Sequence, residues 1–346
     1  MNEKSDAVQS RYTRLSPLSF AEQKRLCLDL IKFFNPLNAR KLQHDLGLPA
    51  TSSITPFTLG QFYEWSKRTP GKKEYDRLRP HIKSLLGSMV QGGILSFEGR
   101  CGAGINGDGG GYFAIQEMSR IAAQGTLYLG AALGLGYLAH EFSSALVAIT
   151  GKHKSGDLST GSGLHVLPEY IITCDHVLRD MEVNRTVEVN GTTVSVEPII
   201  SKEIPSTDVG VLRIRPGVPV SLPDLAFREA MVLEKVLVAG FPHIPTSTDR
   251  IPFFQAGEIS TECAINTYHR NKIELFSAIA RPGNSGGPVI SSTGNIVGLV
   301  TQSLEREKED IDPMRPLPFF ASVPAASIRE AFRALTNQEL PWESYQ

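Results

Sequence analysis

Arg281-Pro-Gly-Asn-Ser-Gly-Gly-Pro288 is the stretch from which the rest of the 346-residue chain is best read. Gly283, Gly286 and Gly287 surround one hydroxyl, that of Ser285. Glycine reaches positive φ without strain, so the segment predicts a tight turn that presents the hydroxyl and lets another chain approach closely. Acyl transfer needs such a turn, with backbone N–H groups aimed at the place where a carbonyl oxygen becomes an anion. The N–H groups of Gly283 and Ser285, one on each side of Asn284, are the predicted donors.

A serine hydroxyl is a weak nucleophile at neutral pH and requires a base, for which histidine has the suitable ordinary pKa. Of the eight histidines, His176 ends a strand-like run with a local signature, Ile171-Ile-Thr-Cys-Asp-His-Val-Leu178. The acid that orients the ring is predicted at Asp208, at the start of the apolar run Val209-Gly-Val-Leu212, where a carboxylate can be half buried and still accept hydrogen bonds. Asp175 and Asp180 compete for that role from positions close in chain to His176. The order His, Asp, Ser, with gaps of 32 and 77 residues, differs from the orders of the α/β-hydrolases and subtilisins.

Working outward, the chain from about residue 143 consists of short apolar runs separated by turn residues. Ala145–Thr150, His165–Thr173, Thr192–Ile199, Val209–Ile214, Lys235–Ala239, Glu258–Ser260, Ile273–Phe276, Pro288–Ser291 and Ile296–Thr301 read as strands, and Ala326–Thr336 as a closing helix. Many short strands at near-regular spacing predict an all-β barrel or sandwich. Ahead of them the texture is helical. Ser19 with Glu22 forms a capping-box start for a helix that Asn35-Pro36 stops, and helical patterns follow at Ala39–Leu46, Thr58–Arg68 and Tyr75–Met89. Strand-like Ile94–Phe97 and Tyr112–Ile115 flank a glycine-rich tip, so residues 1–140 resemble a winged helix in topology. The expected fold is therefore a multidomain α+β chain: a mainly helical winged-helix-like domain over 1–140, then an all-β double barrel with a terminal helix over 141–346. The apolar run Thr126–Ala139, interrupted by Gly130, Gly134 and Gly136, reads as a buried linker or hairpin, too short to cross a bilayer.

Around the three chemical residues the sequence resembles the trypsin-like (chymotrypsin-fold) serine peptidases, nearest their HtrA-type branch. The matching pieces are Thr160-Gly-Ser-Gly163, Ile172-Thr-Cys-Asp-His-Val177, Thr207-Asp-Val-Gly-Val-Leu212, Ala239-Gly-Phe-Pro242, Ala256-Gly-Glu-Ile-Ser260, the Ser285 turn and Asn295-Ile-Val-Gly-Leu-Val300. The resemblance implies two six-stranded barrels with the triad in the cleft between them, no cofactor and a protein substrate. It also implies that Ile279, Thr301, Gln302 and Ser303 line the primary specificity pocket; none is charged, which favours an apolar or small residue before the scissile bond over Lys or Arg. Two departures stand out. Cys174 occupies a position where the family often has Ala, and Asn284 has no charge with which to pair a newly cut amino terminus, so regulation is expected through loop ordering or assembly.

Composition bounds the partners. The 35 Lys+Arg and 36 Asp+Glu nearly cancel, yet residues 1–100 hold 16 and 9 of them, a basic front segment facing an acidic remainder. Arg40, Lys41, Lys67, Arg68, Lys72, Lys73, Arg77 and Arg79 offer that segment to nucleic acid or, with a slight lean, to a regulatory protein partner. Four cysteines spaced 74, 73 and 89 residues apart fit neither a disulfide framework nor a metal site, and read as free thiols. Residues 1–17 contain no apolar run usable as an export signal, which leads to a cytoplasmic expectation. Gly102-Ala-Gly-Ile-Asn-Gly107 matches a dinucleotide fingerprint literally, but opens no clear helix and reads as a hairpin tip. His153, His165, His243 and His269 lack metal spacing, so no metal is expected. The reading that follows is a regulated intracellular serine endopeptidase; its rival is a catalytically silent barrel tethered to nucleic acid or a partner protein.

Overall fold

A computed structural model describes residues 17–49, 55–101, 108–114, 118–200, 207–244, 247, 250–265, 272–304 and 319–344. The chain divides into two compact units, residues 1–117 with 131–133, and residues 118–130 with 134–346.

The first unit is built from helices α1 (Phe20–Phe34), α2 (Ala39–Leu46), α3 (Leu59–Arg68) and α4 (Arg79–Gln91), with β1 (Phe57–Thr58), β2 (Leu95–Arg100) and β3 (Gly110–Ala114). The capping box at the start of α1 is formed: Ser19 Oγ accepts from the Glu22 amide at 3.3 Å, and the Glu22 carboxylate accepts from the Ser19 amide at 2.8 Å. The pattern beginning at Tyr75 is divided into a 3-10 turn, Lys73–Asp76, and α4 starting at Arg79. Pro80 sets that start, because its ring lacks the N–H that a helix interior must donate. The strands pair in the order β1-β3-β2, with Phe57 opposite Tyr112 and Leu95 opposite Ala114. The core is aromatic: Phe33 meets Phe62 edge-on at 5.3 Å, and Phe62 stacks on Tyr75 at 5.8 Å. The glycine-rich tip 102–107, with its fingerprint match, and Ile115 lie outside the described residues.

The run Thr126–Ala139 is helical, which corrects the hairpin alternative. A 3-10 turn (Leu127–Leu129) leads into α5 (Gly130–Leu133), and Gly134 at φ +78° separates it from α6 (Leu135–Phe142). A short continuous apolar run carries no periodicity to tell a buried helix from a strand, so length and neighbours had to decide.

In the second unit a seven-stranded antiparallel sheet comprises β4 (Leu146–His153), β5 (Leu158–Leu167), β6 (Tyr170–Thr173), β7 (Met181–Val183), β8 (Thr186–Val189), β9 (Thr192–Ile199) and β10 (Gly210–Arg215). Its order is β7-β4-β5-β6-β10-β9-β8, leaving β7 and β8 as edges. A closed barrel follows, β11 (Lys235–Gly240), β12 (Phe253–Ile265), β13 (Lys272–Phe276), β14 (Pro288–Ser291), β15 (Ile296–Leu304) and β16 (Phe319–Pro324), ordered β11-β12-β13-β16-β15-β14. The all-β expectation holds with one difference: a seven-stranded half-barrel stands where the resemblance implied a first closed six-stranded barrel. The predicted strand His165–Thr173 is in fact two, β5 and β6, because Leu167 pairs with Tyr170 across a turn entered at Pro168, a residue that cannot donate to a ladder. Helix α7 (Asp175–Asp180) leads out of β6, and α8 (Ala325–Thr336) closes the described chain close to the expected span.

Val236, Val238, Ile259, Phe276, Val289, Val297 and Val300 fill the closed barrel. Near it Arg228, 2% exposed, forms a two-point ion pair with Glu234, 7% exposed, through Nη1–Oε1 at 3.0 Å and Nη2–Oε2 at 2.5 Å. Its remaining donors go to Glu229 O, Thr293 Oγ1 and Asn295 Oδ1. Among the described residues, no helix is long and apolar enough to cross a membrane.

Candidate active site

His176 follows β6. The four residues of β6 are all buried, the strand ends at Cys174 in extended conformation, and α7 starts at once, so His176 stands in the first turn of a short helix. Helix starts leave N–H groups without helical partners. Asp208 supplies one acceptor: its Oδ1 takes the His176 N–H at 3.0 Å while its Oδ2 lies 2.7 Å from the ring Nδ1. The meeting is set by register, because β10 pairs antiparallel with β6, Gly210 opposite Thr173, which brings residue 208 beside the segment 174–176. The same register disposes of the competitor Asp175, whose carboxylate pairs with Arg179 one turn along α7.

The electrostatics of the pair are mutual. Burial lowers the His176 pKa, but the Asp208 hydrogen bond and charge, helped by Asp180 and Asp175, outweigh it and hold the imidazole above its ordinary 6.5. Burial raises Asp208, yet His176 and the Thr301 hydroxyl bring its carboxyl down to about 2. The Asp208 contact also fixes the neutral ring as the Nδ1–H tautomer, leaving the Nε2 lone pair available.

Ser285 sits on two successive turns, closed by Asn284 N–H to Arg281 O and Gly287 N–H to Asn284 O, each at 2.9 Å. Gly283 at φ +100° and Gly286 at φ +83° occupy backbone regions that side chains disfavour. A Cβ on Gly286 would lie 2.2 Å from Ser162 O and from Thr173 Oγ1. Among the described residues, the N–H groups of Gly283 and Ser285 have no partner, so two donors flank Asn284 uncommitted. The turn is braced by Ser162 on β5, whose amide donates to Ser285 O at 2.8 Å and whose hydroxyl donates to Gly283 O at 2.6 Å.

Sequence reasoning expected the Ser285 hydroxyl to address His176. Here it donates to Thr301 O at 2.8 Å, while the Thr301 hydroxyl donates to Asp208 Oδ2. Thr301 thus touches both Asp208 and Ser285. This also gives Thr301 another part than that of a pocket wall, since its side chain is 6% exposed and engaged with Asp208. Of the other pocket residues, Ile279 is 46% exposed, and the Gln302 and Ser303 side chains lie outside the described residues, their backbones running in β15. The roles of Ser162 and Thr301 had no local signal. Ser162 lay inside a quoted glycine-flanked motif, but what it braces is more than a hundred residues away in chain.

Cys174 is fully buried beneath the pair. Its Sγ donates to Val300 O at 3.1 Å, and burial, then the Asp208 charge, pushes its thiol well above the ordinary range. Cys27, Cys101 and Cys174 are free, and the Cys263 side chain lies outside the described residues. Among the described residues, Cys174, His176 and Asp208 form the one group of three or more potential metal-ligand side chains, with donor atoms all within 4.8 Å of one another. In the first unit, part of the basic charge is taken internally. Lys67 pairs with Glu64, Arg68 donates to Asp45 O, Lys72 pairs with Asp29, and Arg79 reaches Asp76 and Asp108.

Residues 161–299 match the family model of the trypsin-like peptidase domain. The serine endoprotease DegS of Haemophilus influenzae is 28% identical over 173 residues, 49% of this chain and 49% of its own. The serine protease Do-like HtrA of Bacillus subtilis is 26% identical over 211 residues, 58% of this chain and 46% of its own. The chain therefore spans about half the length of the curated relatives it matches. Among solved structures, the active form of the M. tuberculosis protease Rv3671c is 20% identical with a TM-score of 0.45, covering 59% of this chain and 86% of that one. The serine endoprotease from Yersinia pestis is 22% identical with a TM-score of 0.44, covering 58% of this chain and 66% of that one.

Proposed function

From the premise that residues 161–299 are a trypsin-like peptidase domain related to the HtrA and DegS serine proteases, we propose that the protein is a serine endopeptidase acting through Ser285, His176 and Asp208. The observation that carries this is the double hold of Asp208 on the amide and ring of His176, joined through Thr301 to the Ser285 hydroxyl. Ser285 Oγ attacks the peptide carbonyl, His176 Nε2 takes its proton and passes it to the leaving amine, and Asp208 holds the tautomer and stabilises the imidazolium. The Gly283 and Ser285 amides receive the oxyanion. None of these steps uses a cofactor. The specificity-pocket residues that the resemblance implies, Ile279 among them, carry no charge, which favours an apolar or small residue before the scissile bond.

The first unit is assigned a regulatory part in the same reading: it restrains or recruits, so that a peptidase inside the cell cuts selected proteins, in a stress or defence response. A β2–β3 hairpin joined by β1 on its β3 side supports the winged-helix description of this unit. The internal ion pairs of Lys67, Lys72 and Arg79 remove part of the charge on which a nucleic-acid tether would draw, and favour a protein partner.

Two measurements test the peptidase. A fluorophosphonate probe should label the full chain on Ser285 and leave Ser285→Ala unlabelled; equal labelling of both would remove Ser285 from the chemistry. The acid limb of kcat/KM against pH should have its midpoint above 6.5, because only the neutral imidazole can take a proton and Asp208 holds its pKa up. A midpoint below 6.5 would mean that Asp208 does not govern the base.

A further inference from the structure

We propose that Cys174, His176 and Asp208 bind a thiophilic divalent cation of the zinc or cadmium class, and that occupancy switches the peptidase off. A thiolate, an imidazole and a carboxylate make a donor set that such ions select over the harder magnesium or calcium. The donor atoms already lie within 4.8 Å of one another. A tetrahedral zinc needs about 2.3 Å to sulfur and about 2.0 Å to nitrogen and oxygen, so small side-chain shifts complete three of its four positions. The site is supported from outside as metal sites are: the Thr301 hydroxyl holds the carboxylate, and the β6–β10 register fixes the two segments that carry the ligands. The His176 side chain is 40% exposed, which gives an ion an approach past the imidazole.

Cys174 is the unexplained member. No step of the peptidase mechanism uses a thiol there, and alanine would fill the position with less bulk. Instead a soft donor stands two residues before the base, donating weakly to Val300 O and lying against the Asp208 carboxylate. On binding, Cys174 gives up its proton to solvent and bonds the ion as thiolate, and His176 bonds it through the Nδ1 lone pair. The neutral ring then carries its proton on Nε2, and an Nε2–H cannot accept the proton of Ser285. The ion's two positive charges cancel thiolate and carboxylate, so the buried cluster is left without net charge.

Binding follows from the donor geometry alone, whereas silencing rests on the peptidase reading, and the experiment separates them. Cobalt(II) serves as probe with the full chain bearing Ser285→Ala, Cys101→Ser and Cys263→Ser. One equivalent should produce a thiolate-to-cobalt charge-transfer absorption that disappears when Cys174→Ala or Cys174→Ser is added, with an unchanged circular dichroism spectrum. In the chain with Ser285 intact, cadmium should lower kcat/KM by at least about tenfold and a chelator should restore it. Cys174→Ala should keep metal-free kcat/KM within about twofold and lose that sensitivity. Absence of a Cys174-dependent absorption overturns the site, and equal inhibition of the Cys174→Ala chain overturns the switch. A Cys174-dependent absorption in a chain that is inactive even without metal would uphold the site and overturn the peptidase.

Discussion

Replacing Ser285 with alanine is expected to lower kcat by about five to six orders of magnitude, and Asp208→Asn by about four, with the fold of both intact. The two losses have different physical origins. Without the Ser285 hydroxyl there is no nucleophile, and what activity remains comes from binding and the oxyanion donors. In Asp208→Asn the amide can still accept the His176 backbone N–H, now at 3.0 Å from Oδ1, but toward Nδ1 it presents an N–H donor. The ring must then keep its proton on Nε2, the tautomer that cannot act as base. Because the two residues work as one device, the double variant should be no slower than Ser285→Ala alone. Single-turnover kinetics on a peptide ester would check this. A Ser285→Ala chain that keeps a tenth or more of wild-type activity would end the peptidase proposal.

The second large effect concerns stability. Glu234→Ala should destabilise the second unit by about 3–5 kcal/mol, because it strands the Arg228 guanidinium, 2% exposed, without its counter-charge. For a unit of this size that corresponds to a fall in Tm of about 10 °C. The cost belongs to the broken pair and not to the lost contact area: an apolar double replacement, Arg228→Met with Glu234→Leu, should recover most of it. Asn295 and Thr293 also donate to or accept within this cluster, so the recovery will fall short of complete. Thermal unfolding of the two variants beside the wild type measures both statements. A Glu234→Ala chain within about 1 kcal/mol of wild type would show that water reaches the guanidinium.

Some of this was legible because it is written locally. The Ser285 turn is spelled by glycines whose positive φ no other residue adopts as easily, the α1 start by a serine and a glutamate three apart, and most barrel strands by their own β-branched runs. The His, Asp, Ser order likewise needs no coordinates. Short elements without such marks were missed: β7 and β8 have three and four residues, and α7 follows β6 with no side-chain cap.

What chain order could not decide was who meets whom. Asp208 rather than Asp175 faces His176 only because β10 pairs with β6 in the register Gly210 to Thr173. Ser162 braces the Ser285 turn, Thr301 joins Asp208 to the serine, and Cys174 meets Asp208, all across separations to which periodicity is blind. By itself the sequence determined the Ser285 turn and most of the strands around it, since these follow from covalent constraints and near-neighbour preferences, and it named the candidate side chains for the chemistry. Only the tertiary structure decided their partners, because hydrogen bonds between distant strands depend on sheet register and closure, which no single segment encodes.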